Sequence, residues 1–204
     1  MEKVMFLFPR KQGLTQQEFF DHYLQVHSVL GVEVTRTLRH YAVNLHDGDD
    51  HAPEGVDAFT ETWVESTEAF FDPEQSFATA EDAQRLMNDH NSFIGDPYFA
   101  YTVEEHGAKG SGERRAPTTG ATPGAKAIVQ VATGDARRAV VQAALRSDEV
   151  TDVVENRVLS AVMPDSPDAD AFVSVWSTKP VLDALESAVA GAGAVYSVSE
   201  HVRK

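Results

Sequence analysis

The chain has 204 residues, 42% hydrophobic and 24% charged, which is ordinary globular composition at a length suited to one large domain or two of about 100 residues each. Seventeen Lys and Arg against 32 Asp and Glu leave a net charge of −15, a field that repels phosphate backbones and anionic head groups, so neither nucleic acid nor a membrane is an expected partner. No cysteine is present, which removes disulfides, thiolate metal sites and thiol nucleophiles, and the short apolar run Val4–Phe8 does not make a secretion signal, so the expected compartment is the cytoplasm.

In chain order, Lys3–Phe8 reads as a strand stopped by Pro9. Thr15 with Glu18 three residues later has the spacing of a capping box and opens a helix. Strands are expected near Arg39–Leu45 and Ala58–Glu65, a helical region interrupted at Pro73 over Thr67–Phe93, and a last strand near Tyr98–Glu105. The stretch from Gly107 to Gly124 holds five of the 13 glycines and two of the nine prolines and reads as a linker. Beyond it the plan repeats. A strand is expected over Ala127–Ala132, a helix capped by Asp135 and ending at Leu145, strands near Val153–Val162 and Ala171–Ser177, a helix over Pro180–Ala190 and a strand over Val195–Val202. Two local echoes support duplication: Phe59-Thr-Glu-Thr-Trp63 against Phe172-Val-Ser-Val-Trp176, and Val103-Glu-Glu-His106 against Val198-Ser-Glu-His201.

The order β-α-β-β-α-β in each half implies a four-stranded antiparallel sheet with both helices on one face. Both faces of Val4-Met-Phe-Leu-Phe8 are apolar, so the face away from the helices needs a cover, and the other half's sheet is the expected one, with a cavity between the two. The expected fold class is therefore α+β: two tandem ferredoxin-like domains, residues 1–106 and 126–204, joined by a flexible linker at 107–125 and packed sheet to sheet.

The run Phe8-Pro-Arg-Lys-Gln-Gly-Leu-Thr-Gln-Gln-Glu-Phe-Phe-Asp-His-Tyr-Leu-Gln-Val-His27, then Arg39-His-Tyr-Ala-Val-Asn44 and Asp89-His-Asn-Ser-Phe93, resembles the EthD domain family of the dimeric α/β-barrel superfamily. The resemblance covers roughly residues 1–106 and implies a barrel, here closed within one chain instead of between two. A homodimer of the fused chain is compatible with that plan. Relatives in the superfamily include lactone isomerases, polyketide cyclases or dehydratases, cofactor-free monooxygenases, haem enzymes and proteins without assigned chemistry, and fold alone does not select among them.

His27 is the first catalytic candidate. On a helical wheel it lies within about 20° of Phe20, inside the apolar arc, where an imidazole is shielded and tunable, while His22 lies about 140° from His27 on the polar side, which argues against a metal pair. A core histidine satisfied by backbone is the plainer alternative for His27, and a solvated one for His22. Tyr41 is the candidate oxyanion donor. Asn44, Glu61, Trp63, Phe99, Tyr101 and Trp176 sit on strands that could line the expected cavity, although a slip of one residue exchanges the faces. Asp47, Asp49 and Asp50 beside His46 and His51 lack the pattern of a calcium loop.

No metal site is expected. No Gly-x-Gly-x-x-Gly, phosphate-binding loop, Gly-x-Ser-x-Gly or His-Glu-x-x-His is present, so no cofactor is implied. The expected function is cofactor-independent, His27-mediated proton transfer on a hydrophobic aromatic or polyketide-like carbonyl compound, by isomerisation, cyclisation with dehydration, or oxygenation. The alternatives are a non-catalytic carrier of hydrophobic small molecules and a haem-binding protein.

Overall fold

The computed structural model describes residues 1–48, 55–110 and 120–204. The acidic loop with Asp49, Asp50 and His51 and the middle of the expected linker, residues 111–119, lie outside the described residues.

The first half runs β1 (Glu2–Phe8), α1 (Gln16–His22), a π-helical turn (Tyr23–His27), α2 (Ser28–Val34), β2 (Leu38–His46), β3 (Ala58–Val64), α3 (Thr67–Phe71), α4 (Pro73–Ser76), α5 (Ala80–Phe93) and β4 (Phe99–Lys109). After a two-residue β5 (Gly120–Ala121), the second half runs β6 (Ala125–Val131), α6 (Gly134–Leu145), β7 (Val150–Ala161), β8 (Ala171–Ser177), α7 (Leu182–Val189) and β9 (Gly193–Val202). Thr15 and Glu18 form the capping box read from their spacing. The cap of α6 is Thr133, whose side chain accepts from Ala136 N, while Asp135, the expected cap, sits in the first turn beside the positive end of the helix dipole. β4 continues to Lys109, past the expected start of the linker, because its outer edge pairs with β7 as far as Val153.

The strands are ordered β2-β3-β1-β4-β7-β8-β6-β9, and β9 pairs back onto β2, so eight antiparallel strands form a closed barrel. The same internal order, β2-β3-β1-β4 and β7-β8-β6-β9, occurs in each half. The two sheets meet edge to edge along β4–β7 and β2–β9, and closure leaves neither with an unpaired edge.

Alternation along the strands separates two cores. Phe6 and Phe8 of β1, with Tyr41, Val43 and Leu45 of β2, face outward and are covered by Phe19, Tyr23 and Phe93 from the helices. Val129, Val131, Val173 and Val175 do the same beneath Val140 and Leu185 in the second half. Met5, Leu7, Phe59, Tyr101, Val103, Ile128, Phe172, Tyr196 and Val198 point into the barrel and pack on one another, with the Phe59 ring 4.7 Å from Tyr196 and Tyr101 5.2 Å from Phe172. The cavity expected between the sheets is therefore occupied by side chains. An eight-stranded barrel is just wide enough for its own side chains to fill, and aromatic residues from both halves fill this one. Among the described residues, no helix is long and apolar enough to cross a membrane.

Candidate active site

The candidate site lies outside the barrel, between the first half's sheet and its helices. In a regular α-helix His22 and His27 would diverge by about 140°. The π turn over Tyr23–His27 takes up one extra residue, so a spacing of five places side chains much as four would in an α-helix. Both imidazoles then reach Asp89 on α5. His27 Nδ1 lies 2.8 Å from Asp89 Oδ2, and His22 Nε2 lies 2.8 Å from Oδ1. His22, expected as a solvated surface residue, is half-buried and engaged.

Burial raises the Asp89 pKa, but the hydrogen bonds and charge of His27 and His22 outweigh it and hold the carboxyl below its ordinary range. An ionised carboxylate only accepts, so the His27 nitrogen facing it carries the proton, and Nε2 keeps the lone pair. Among the described residues the hydrogen bond of the His27 ring is made by Nδ1 and not by Nε2.

Aromatic rings surround the pair. The Tyr23 ring stands 5.3 Å from His27 and Phe93 4.9 Å from it. His90, next to Asp89, lies 5.8 Å from His27, 5.4 Å from Phe8 and 4.9 Å from Tyr98. Burial, reinforced by the nearby His27, pushes the His90 pKa down to about 4, and its buried Nε2 has no hydrogen-bond partner. The Tyr23 hydroxyl bonds Thr60 Oγ1, and Tyr41 joins the same group. Burial raises Tyr41 to about 12, with Tyr23, Thr60 and Arg203 opposing the shift, so its phenol is a neutral donor at any physiological pH. Arg203, from the C-terminal end of the second half, donates from Nη2 to the Leu24 carbonyl at 2.9 Å.

His27 and Tyr41 thus share the helix-covered face of the sheet. Asn44, Glu61, Trp63, Phe99, Tyr101 and Trp176 are on the opposite face, inside the barrel, separated from His27 by the sheet itself. Phe99 and Tyr101 belong to the apolar layer, where the Tyr101 hydroxyl donates to the Pro167 carbonyl at 2.7 Å. Asn44, Glu61, Trp63 and Trp176 belong to a charged layer at one end of the barrel. There Lys3 Nζ donates to Glu61 at 2.7 Å, to Glu105 at 3.1 Å and to Asn156 at 2.6 Å. Lys126 Nζ donates to Glu61 at 2.5 Å, to Glu200 at 2.6 Å and to Asn44 at 2.7 Å. The Trp63 indole donates to Glu105 and that of Trp176 to Glu200, and each ammonium lies about 4.3–4.4 Å from the ring centre of its own half's tryptophan.

Sequence reasoning did not single out Lys3, Lys126, His90 or Arg203, and noted Asp89 only within a family stretch. The signal for the lysines was available in the local echo, because aligning Phe59…Trp63 with Phe172…Trp176 brings the Lys3 strand onto the Lys126 strand. Among the described residues, no group of three or more His, Asp or Glu is arranged to hold a metal ion.

Residues 11–97 match the family model of the EthD domain. No curated protein matches the chain by sequence. Among solved structures, an anthrone oxidase-like protein superposes with a TM-score of 0.59 at 12% identity, covering 100% of this chain and 91% of that one. A candidate monooxygenase from Fusobacterium nucleatum superposes with a TM-score of 0.53 at 7% identity, covering 100% of this chain and 92% of that one. At such identities the likeness is one of fold, and it extends over both halves of the barrel. Residues 11–97, which carry the His27–Asp89 pair together with Tyr23, Tyr41 and His90, thus match the EthD domain model, within a chain whose eight-stranded barrel resembles those of the two solved structures.

Proposed function

We propose that the chain is a cofactor-independent enzyme in which His27 removes a proton from a carbon beside, or conjugated with, the carbonyl of a hydrophobic aromatic compound. The observation that carries this reading is the His27–Asp89 pair. A carboxylate held ionised fixes the imidazole tautomer, presents the Nε2 lone pair, and stabilises the imidazolium formed when the proton arrives. The electron pair of the broken C–H bond moves onto the carbonyl oxygen, where a neutral phenol such as Tyr41 is the donor suited to the developing charge. Proton return at another carbon gives isomerisation. Capture by dioxygen forms a C–O bond and a hydroperoxide, and loss of water from it leaves a new carbonyl.

The supporting architecture is read as two ferredoxin-like copies, residues 1–106 and 126–204, fused through residues 107–125. Their equal strand orders and matched interior residues favour it. On this reading the second half serves as the barrel's other wall, since its first helix has no counterpart of His27. A cytoplasmic location, a neutral hydrophobic substrate and further pairing of two chains are parts of the same proposal.

The anthrone oxidase-like neighbour suggests a probe. Anthrone has an acidic C–H conjugated to its carbonyl and is converted with one dioxygen to anthraquinone and one water. The unaltered protein is expected to accelerate oxygen uptake by anthrone, and His27→Ala and Asp89→Asn each to lower kcat by roughly 100- to 10,000-fold. A His27→Ala variant with undiminished turnover sinks the assignment. Saturable binding without turnover makes the protein a carrier, and a Soret band in the purified protein makes it a haem protein.

A further inference from the structure

A surface cleft on the Tyr98 side of His90 is built by both halves of the chain. Between the end of α5 and the start of β4, Asp96, Pro97 and Tyr98 face Met163 and Pro164, which follow β7 in the second half, across an open cleft of about 420 Å³. That volume falls within the range of small-molecule sites. Its inner wall is the half-buried Tyr98. Behind it the His90 ring makes an edge contact at 4.9 Å, and beyond His90 stands His27 at 5.8 Å. His90 Nε2 is buried and has no hydrogen-bond partner, a cost that a folded protein normally avoids.

We propose that this cleft is the binding site for a neutral planar aromatic carbonyl compound, whose oxygen is engaged by His90 Nε2 once the Tyr98 ring swings aside. The chemistry of the walls selects the class. Tyr98, Met163 and the two prolines offer flat apolar surface and a polarisable thioether suited to an aromatic ring. Asp96 at the rim, within a chain of net charge −15, disfavours carboxylates and sulfonates. A neutral imidazole with its proton on Nε2 supplies the single donor that a carbonyl needs. Met163 and Pro164 then make the second half a determinant of specificity, although it has no catalytic histidine on its helices. This inference rests on the functional reading above for the nature of the ligand, but its test does not depend on turnover.

The chain has four methionines, Met1, Met5, Met87 and Met163. Met5 is buried in the barrel and Met87 lines a separate groove beside Phe77, so methyl-labelled methionine distinguishes the sites directly. With 1,8-dihydroxyanthraquinone as the probe, the Met163 methyl resonance, assigned with Met163→Leu, is expected to shift saturably while Met87 stays in place. His90→Phe is expected to weaken binding about tenfold, the loss of one buried hydrogen bond, and Met163→Trp to abolish it by filling the cleft. A shift at Met87 alone, no shift at either methyl, or unchanged affinity in His90→Phe overturns the proposal. A probe seated at Met163 in a protein that never turns over anthrone leaves this site standing and removes the enzymatic reading. Turnover of anthrone with a silent Met163 does the reverse.

Discussion

His90 shows how placement, not residue type, sets what a histidine can do. Its ring stands among Phe8, Tyr98 and His27, and burial together with the His27 charge depresses its pKa to about 4, against an ordinary 6.5. Between those values the unfolded chain takes up a proton that the folded protein refuses, so protonation favours unfolding. The contribution is complete above about pH 6.5 and is lost as the pH falls to about 4, amounting to as much as about 3 kcal/mol. Urea unfolding at intervals from about pH 7 to about pH 4.5 is therefore expected to show falling stability in the unaltered protein and a shallower fall in His90→Phe. Equal slopes would mean that the ring titrates as if in water. His201, whose pKa burial and Arg203 also depress, maintains a residual slope in both proteins. The sequence marked His27 through its place in the apolar arc of a helix, a local property. It could not mark the service of Asp89 to His27, which joins residues 62 positions apart.

At the level of elements, the turn carrying His27 differs from what periodicity alone implies. A wheel drawn at 100° per residue sets His22 and His27 on different sides, and the structure brings both to one carboxylate because Tyr23–His27 is π-helical. Such a turn behaves as one residue inserted into an α-helix. Deleting the exposed Gln25 should therefore restore regular α geometry with the histidines at a spacing of four, still on one face. The expected result is a folded protein of undiminished helical circular dichroism in which the imidazole resonances of both histidines still respond to Asp89→Asn. If either becomes insensitive to that change, the π turn has a geometric role beyond accommodating one residue. The capping box at Thr15 was legible because its two partners are three residues apart. The π turn was not, since nothing in Tyr-Leu-Gln-Val-His distinguishes it from α-helix until α5 is packed against it.

Across the whole molecule, the interior repeats with approximate two-fold symmetry. Lys3 pairs across from Trp63 as Lys126 does from Trp176, and Asn44 from Phe59 as Asn156 does from Phe172. At the two seams Glu200 stands opposite Asn44 and Glu105 opposite Asn156. The echo of Phe59…Trp63 in Phe172…Trp176 was the sequence sign of this likeness between strands β3 and β8. Closure was legible only through the family resemblance, because it depends on the outer edges of β2, β4, β7 and β9, whose partners no local pattern names. Within the charged layer the symmetry breaks at Glu61, whose counterpart is Ser174, and this buried carboxylate accepts from the lysines of both halves. Removing one partner from a buried ion pair costs about 3–5 kcal/mol, so neither half can retain its charged layer without the other. Each would also expose half of the aromatic core inside the barrel. Unfolding is therefore expected to be one cooperative event, and the tryptophans, one in each half, can report it separately. Thermal melts of Trp63→Phe and Trp176→Phe, followed by the fluorescence of the remaining indole, should each coincide with the loss of circular dichroism in the same variant. A fluorescence midpoint displaced from the circular dichroism midpoint in either variant would show that one half outlasts the other, and that the seams and the shared Glu61 do not bind the two into a single folding unit.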